Sequence, residues 1–464
     1  MNDASPLSLV DGEISRAEHL NAVGADFFRR GQLEPARLHF LAALSLEPKN
    51  AAALQNLGAV LRNMRHYAAS EIAAYRSVLV TNGKNPYCRS NLGVAQLAQR
   101  KFNAAIQTLK GVTVDLPESA PSWHNYGLAC YMVGDYLEAL AAFDRSLSIG
   151  YSDNALSDRA LALLSLGKIQ EGLADYEVRW NLIYKSKVWD FDVPEWKGES
   201  LTGKHILVHH EQGFGDGIML LRFVSDLKLA QCQVSIAVPQ SLKRLAERMF
   251  PTLRVLDIDA LNESDMKGLD YHSPTLSVMR WLGIKEPKEI SATPYIFAKP
   301  NFSMRLPETA VKIGICWASG NHGAALVDRR RLVPITSFLP LLRNVDVSLI
   351  SLQKGEDVKD ISAHGLEGLV FDVSPRLDDF ADTANVIACL DLVISVDSAV
   401  AHLAGAMGKP CIMLSPYTRC WRWWGKGTGW PWYNRMKIFS QAPNGTWNAA
   451  IAKAIENVPM MLRS

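Results

Sequence analysis

No two of the seven cysteines stand in a Cys-x-x-Cys spacing: Cys88, Cys130, Cys232, Cys316, Cys389, Cys411 and Cys420 are scattered. Neither a disulfide framework nor a zinc site is expected, and a reducing compartment fits. Charge of one sign is also missing. The formal net charge is +2, so nothing pulls the chain toward nucleic acid or an anionic membrane. Apolar runs of membrane-spanning length are absent too. The best candidate, residues 392–414, is interrupted by Asp397, His402 and Lys409. The opening stretch MNDASPLSLVDGEISRAEH has no basic region followed by an apolar core. It is therefore not a signal peptide, and a cytoplasmic location is expected. The hydrophobic share of 48% and charged share of 21% are ordinary for a globular protein. At 464 residues the chain is too long for one core, so two or three domains are expected.

What is present begins with a repeat. Gly24, Gly58, Gly93 and Gly127 are spaced by 34, 35 and 34 residues, and Asn-Leu-Gly or Asn-Tyr-Gly surrounds the last three. That is the period of helix–turn–helix units with small residues where the two helices cross. Gly24, Phe27, Ala36, Phe40, Ala43 and Pro48 stand at the matching offsets of the first unit. In the second unit one extra residue moves the aromatic to Tyr75. A fifth, atypical unit carries Gly167, Gly172 and Tyr176, as expected where a solenoid is capped or docked. Residues 17–187 resemble the tetratricopeptide-repeat family, and the repeat solenoid is placed at residues 1–187. The resemblance implies a concave face suited to a protein partner.

Periodicity changes after the connector at 189–201. An apolar strand at 205–209 runs into the Gly-rich turn Glu-Gln-Gly-Phe-Gly-Asp-Gly at 211–217, then an amphipathic helix and another strand. Gly213 and Gly215 are in place, but Ile218 stands where a dinucleotide fingerprint needs its third glycine, so a nicotinamide cofactor is not expected. The turn lets backbone approach a ligand and carries one carboxylate, Asp216. Glu211, at the strand end, is the competing acid. Asp270 and His272 are read as structural.

A second βαβ region starts at Val311. Its first strand, KIGICW, ends in a small polar loop followed by Arg329, Arg330 and Arg331, and SLQKGE follows, with Glu356 at its end. The stretch at 392–417, LVISVDSAVAHLAGAMGKPCIMLSPY, reads as strand, helix, strand. Ser398 is an N-cap, Gly408 stops the helix and Pro410 forbids its continuation. Asp397, Ser398 and His402 lie at the carboxyl edge of the strand, where open α/β sheets bind ligands. A helix N-terminus and arginines there suit an anionic diphosphate. No Asp-x-Asp triplet is expected at a strand end, so a metal-independent mechanism is expected.

These segments point to two βαβ domains in series, residues 188–310 and 311–464. The turn at 211–217, KIGICWASGN, SLQKGE, FADTA at 380–384 and the Asp397 stretch resemble the bacterial ADP-heptose:lipopolysaccharide heptosyltransferase family. Closer still are tetratricopeptide-repeat proteins bearing such a domain, whose arginine and tryptophan segment is matched by Trp421-Arg422-Trp423 and Trp432-Tyr433. The resemblance implies a multidomain α + α/β chain: a repeat solenoid, then a GT-B pair of Rossmann-like domains. It implies a nucleotide-sugar donor as co-substrate, no other cofactor, and inverting transfer. Asp216 maps to the base. Asp397, Ser398 and His402 map to the sugar nucleotide, Glu356 to the ribose, and the diphosphate role falls among Arg329, Arg330 and Arg331. The acceptor stays open between a protein such as flagellin, held by the repeats, and a glycan or lipid. A non-catalytic scaffold with a retired transferase domain is the third reading.

Overall fold

The structure, a computed structural model, describes residues 15–182, 191–228, 231–298, 300, 305–319, 331–423 and 432–463. Contacts divide the chain into two compact units, the first essentially residues 1–132 and the second 133–147 with 151–464 apart from a few loop positions.

The first unit holds α1 (Arg16–Arg29), α2 (Leu33–Leu46), α3 (Ala51–Asn63), α4 (Tyr67–Val80), α5 (Pro86–Ala98), α6 (Phe102–Asp115) and α7 (Ala120–Val133). Ser15 opens α1 with a capping box to Glu18. Two of the periodic glycines are there because nothing larger fits. A Cβ on Gly24 would stand 2.7 Å from the Phe40 ring, and one on Gly93 would stand 2.5 Å from Leu109. In the second repeat Gly58 instead faces the backbone of α4 at Ser70 and Ala74, and the displaced Tyr75 is half exposed. The missing aromatic is thus replaced by closer helix approach.

The second unit begins with α8 (Tyr136–Ile149), α9 (Asp153–Ser165), α10 (Ile169–Tyr176) and α11 (Arg179–Leu182). The expected boundary after residue 187 is therefore not where contacts divide. The reason is apolar burial. Ala160, Leu164, Ile169, Leu173 and Tyr176 belong to the core that also contains Trp196, Ile206, Val208 and Leu276. The last repeat is built into the α/β region.

Two parallel sheets follow. The first contains β1 (His205–His209), β2 (Gln233–Val238), β3 (Arg254–Asp257) and β4 (Tyr271–Pro274) in the order β3-β2-β1-β4. Its helices are α12 (Phe214–Leu220), α13 (Phe223–Lys228), α14 (Gln240–Met249), α15 (Glu263–Met266) and α16 (Thr275–Trp281). The second half starts with β5 (Val311–Cys316), the short antiparallel pair β6 (Ala318–Ser319) and β7 (Arg331–Leu332), then β8 (Val347–Ser351). It continues through α17 (Asp360–Ala363), β9 (Val370–Asp372), α18 (Phe380–Ala388), β10 (Leu392–Val396) and α19 (Ala399–Ala406). It closes with β11 (Cys411–Ser415), β12 (Met436–Ser440) and α20 (Asn448–Arg463), and its sheet order is β12-β11-β10-β5-β8-β9.

In both sheets the chain builds outward on one side and then returns to the other. The order reverses between β1 and β4 in the first sheet, and between β5 and β10 in the second. Crevices for ligands open beyond the carboxyl ends of strands at such points. The turn at 211–217 follows β1, and Asp397 follows β10, so each motif sits at its own sheet's switch point. The two halves are held together by Arg244 pairing with Asp379 and Asp382, and by Tyr295 N–H donating to the Ala406 carbonyl. Arg222, buried, donates to the carbonyls of Trp432 and Ser291 and lies 4.4 Å from the Tyr295 ring centre.

Candidate active site

β1 ends in a buried strand end, and the chain turns through Gln212, whose φ is +64°. A non-glycine residue in the left-handed region costs about 1 kcal/mol and is held by its surroundings. Gly213 then caps α12, and its N–H donates to Asp216 Oδ2 at 3.3 Å. Asp216 Oδ1 accepts from Arg422 Nε. The same guanidinium donates to Gln212 Oε1 at 2.5 Å and to Cys420 Sγ at 3.0 Å. Asp216 is thus a helix-end acid, as its position dictates, and also the partner of a cation from the other half.

Beyond β10, Ser398 caps α19 by accepting from Ala401 N–H at 3.4 Å, and its hydroxyl meets that of Ser395 at 2.8 Å. Asp397 takes Arg331 Nη1 on both its carbonyl (2.7 Å) and its carboxylate (3.2 Å). His402 is buried, hydrogen-bonded through Nδ1 to the Tyr433 hydroxyl at 2.9 Å, and stacked on Trp423 with ring centres 4.6 Å apart. Burial, outweighing the nearby Asp397 and Asp216 charges, pushes its pKa down to about 4.

The two motifs converge. A Cβ on Gly215 would lie 2.8 Å from His402 Cδ2 and 3.5 Å from the Ala399 Cα. The glycine is required there because the start of α12 packs directly on the start of α19. Asp216 and His402 are thereby brought near each other, linked through Arg422 and Trp423.

Other expected residues fall elsewhere. Glu211 is 4% exposed and fully engaged: Arg179 grips it at 2.7 and 3.1 Å, and Leu276 N–H donates to it at 2.9 Å. Its setting is that of a structural ion pair. Glu356 is exposed and pairs with Lys359, one turn away, with no contact to the Asp397 group. Arg329 and Arg330 lie outside the described residues. Asp270 sits at the opposite, amino end of β1, where its carboxylate accepts from His205 N–H. His272 packs against His209 and Phe191. Asp257 and Asp259, an Asp-x-Asp triplet at the end of β3, escape the sequence reading because β3 is a short edge strand; Asp257 caps its own turn by accepting from Asp259 N–H. Trp421, Trp423 and Trp432 are buried in packing.

Several contributors lie in stretches named above but have no role assigned there. Gln353, in SLQKGE, is buried and ties the end of β5, accepting from the N–H groups of Trp317 and Ala318 and donating to the Ala318 carbonyl. Gln212, in the turn at 211–217, and Tyr433, beside Trp432, take theirs from the contacts to Arg422 and His402.

Residues 342–455 match glycosyltransferase family 9 (heptosyltransferase). This stretch contains α18, β10, α19 and β11, hence the Asp397 group. The chain thus joins a segment that matches this family to an N-terminal region of helical repeats. Protein FlbA of Caulobacter vibrioides is 26% identical across 96% of this chain and 84% of its own length. Type IV pilus assembly protein PilF of Pseudomonas aeruginosa is 26% identical over 32% of this chain and 59% of its own length. A tetratricopeptide-repeat protein of Thermus thermophilus superimposes with a TM-score of 0.34 and 19% identity, covering 37% of this chain and 93% of that one. Among the described residues, no helix is long and apolar enough to cross a membrane.

The depressed His402 pKa has a measurable consequence. Between pH 6.5 and about 4 the unfolded histidine takes a proton that the folded one refuses. The unfolded state then binds more protons, so stability falls as pH drops through that window. The thermal midpoint is expected to decline from pH 6.5 toward 4, and His402→Gln to flatten the slope by up to about one proton. An unchanged slope would show that His402 does not contribute.

Proposed function

We propose that this chain is a glycosyltransferase that moves a sugar from a nucleoside-diphosphate donor to an acceptor hydroxyl. The observation that carries the reading is the approach of Gly215 to His402 and Ala399, which sets the turn bearing Asp216 against the N-terminus of α19. Transfer needs a base for the acceptor and compensation for the leaving diphosphate. Asp216 is the base, supplied by the first half. The diphosphate belongs beside the first N–H groups of α19, where the helix dipole and arginines offset developing charge. Attack from the face opposite the leaving group inverts the anomeric carbon. His402, neutral at pH 7, holds the Tyr433 hydroxyl and the shape of the donor wall. The acceptor is a protein, presented by the helical repeats; the repeat architecture supports this, since such surfaces commonly hold peptides.

Isothermal titration with ADP, GDP, UDP and CMP tests the donor site. One of them is expected to bind with a dissociation constant below about 1 mM, equivalent to about 4 kcal/mol. Failure of all four at millimolar concentration would remove the basis for a nucleotide-sugar donor.

A further inference from the structure

We propose that Arg422 is a positioning residue whose guanidinium passes from Asp216 to the donor's diphosphate, so that the base is released only when the donor is in place. This rests on the assignment of Asp216 as base and of α19 as the diphosphate side.

Both carboxylate oxygens of Asp216 are engaged, Oδ1 by Arg422 and Oδ2 by Gly213 N–H. Each of these oxygens keeps a second lone pair, but a guanidinium seated on Oδ1 competes with an acceptor hydroxyl for that oxygen. A short move of Arg422 would clear it. It belongs to the second half, on the turn Trp421–Trp423. Its backbone is fixed, because its carbonyl accepts from Trp432 Nε1 at 2.7 Å. Its guanidinium is held by Asp216 and by Gln212 Oε1 at 2.5 Å, and more weakly at its third nitrogen. Nη1 donates to the thiol sulfur of Cys420, a weak acceptor. The guanidinium lies over the Trp421 ring at 4.8 Å, a face along which a planar cation can slide. The next residue, Trp423, stacks on His402, and His402 stands against the start of α12. Arg422 thus begins within the same packed group as the N-terminus of α19. A diphosphate carries more charge than one carboxylate and offers paired oxygens that suit a guanidinium fork. Arg331, by contrast, is tied to both the carbonyl and carboxylate of Asp397.

The exchange predicts competition between Asp216 and the ligand for one cation, and binding alone can read it. Affinities for inorganic pyrophosphate and for the nucleoside diphosphate that binds the parent chain would be measured by calorimetry. The set is the parent, Arg422→Met, Arg422→Lys, Asp216→Asn and the Asp216→Asn/Arg422→Met double variant, with melting temperatures alongside. Arg422→Met is expected to weaken pyrophosphate about 10–100-fold, with Arg422→Lys between it and the parent. Asp216→Asn is expected to tighten binding, and that gain should disappear in the double variant, because it depends on a freed Arg422. Plain removal of a nearby negative charge would instead give an equal or larger gain in the double variant, and that result would overturn the proposal. So would unchanged affinity in Arg422→Met, or in Arg422→Lys should the methionine variant not fold. If a nucleoside diphosphate binds the parent and Arg422→Met equally well, only the exchange fails. If the parent binds none of these ligands, the donor-site reading fails with it.

Discussion

Asp216→Ala is expected to lower sugar transfer about 10²–10⁴-fold, the usual cost of losing a positioned base, while nucleotide binding is retained. The alternative role makes a different forecast. As an acid in the first turn of α12, Asp216 contributes about 0.3–1 kcal/mol to stability, and removing it would barely touch transfer. The pair with Arg422 is mostly buried (14% and 15% exposed), so losing Asp216 also strands that guanidinium and adds to the stability cost, not to the cost in rate. Initial rates with the donor identified by titration, measured beside nucleotide affinity, separate the cases. Near-normal transfer would leave Asp216 as a helix cap and arginine partner.

Arg179→Ala is expected to destabilise the second unit by about 3–5 kcal/mol, because it strands a buried carboxylate. Arg179 is 1% exposed. Beyond its two bonds to Glu211, it donates to Ser277 Oγ at 2.9 Å, and Glu177 lies 3.1 Å from its Nη1. Glu211 has only Arg179 and the Leu276 N–H to replace water. Glu211→Ala is expected to cost a similar amount, whereas Arg179→Met with Glu211→Gln together should cost much less than the sum, since no fully buried charge is left unpaired and Glu177 keeps access to solvent. Urea unfolding followed by tryptophan fluorescence reads all three. A loss below about 1 kcal/mol in both single variants would show that water reaches the pair. The same series separates Glu211 from Asp216: the first is expected to fail in stability, the second in rate.

What could be foreseen from sequence was what depends on neighbours along the chain. Gly24 and Gly93 repeat because each helix crossing excludes a Cβ, so the spacing announces the solenoid. Ser398 and Gly408 mark the two ends of α19 by capping rules that act within a few residues, and this exposed Asp397 and His402 as a strand-end group. Gly215 belonged to a visible turn, but its reason, the His402 ring, lies in the other half. Pairs far apart in sequence left no trace. Arg422 reaches Asp216 across 206 positions and Arg179 reaches Glu211 across 32, and no period or cap encodes either. The contacts divide elsewhere than the expected boundary for the same cause: α9 and α10 follow the repeat's rhythm, while their Ala160, Leu164, Ile169, Leu173 and Tyr176 belong to the sheet's core.

That last repeat governs how such proteins can be recombined. A chimera joined near residue 188 would marry foreign helices to a sheet that needs Leu164, Leu173 and Tyr176 as its own lining and Arg179 as a counter-ion. Joined near residue 133 instead, the exchange would carry the native α8–α11 along with the transferase halves, and the upstream helices would become the interchangeable cassette.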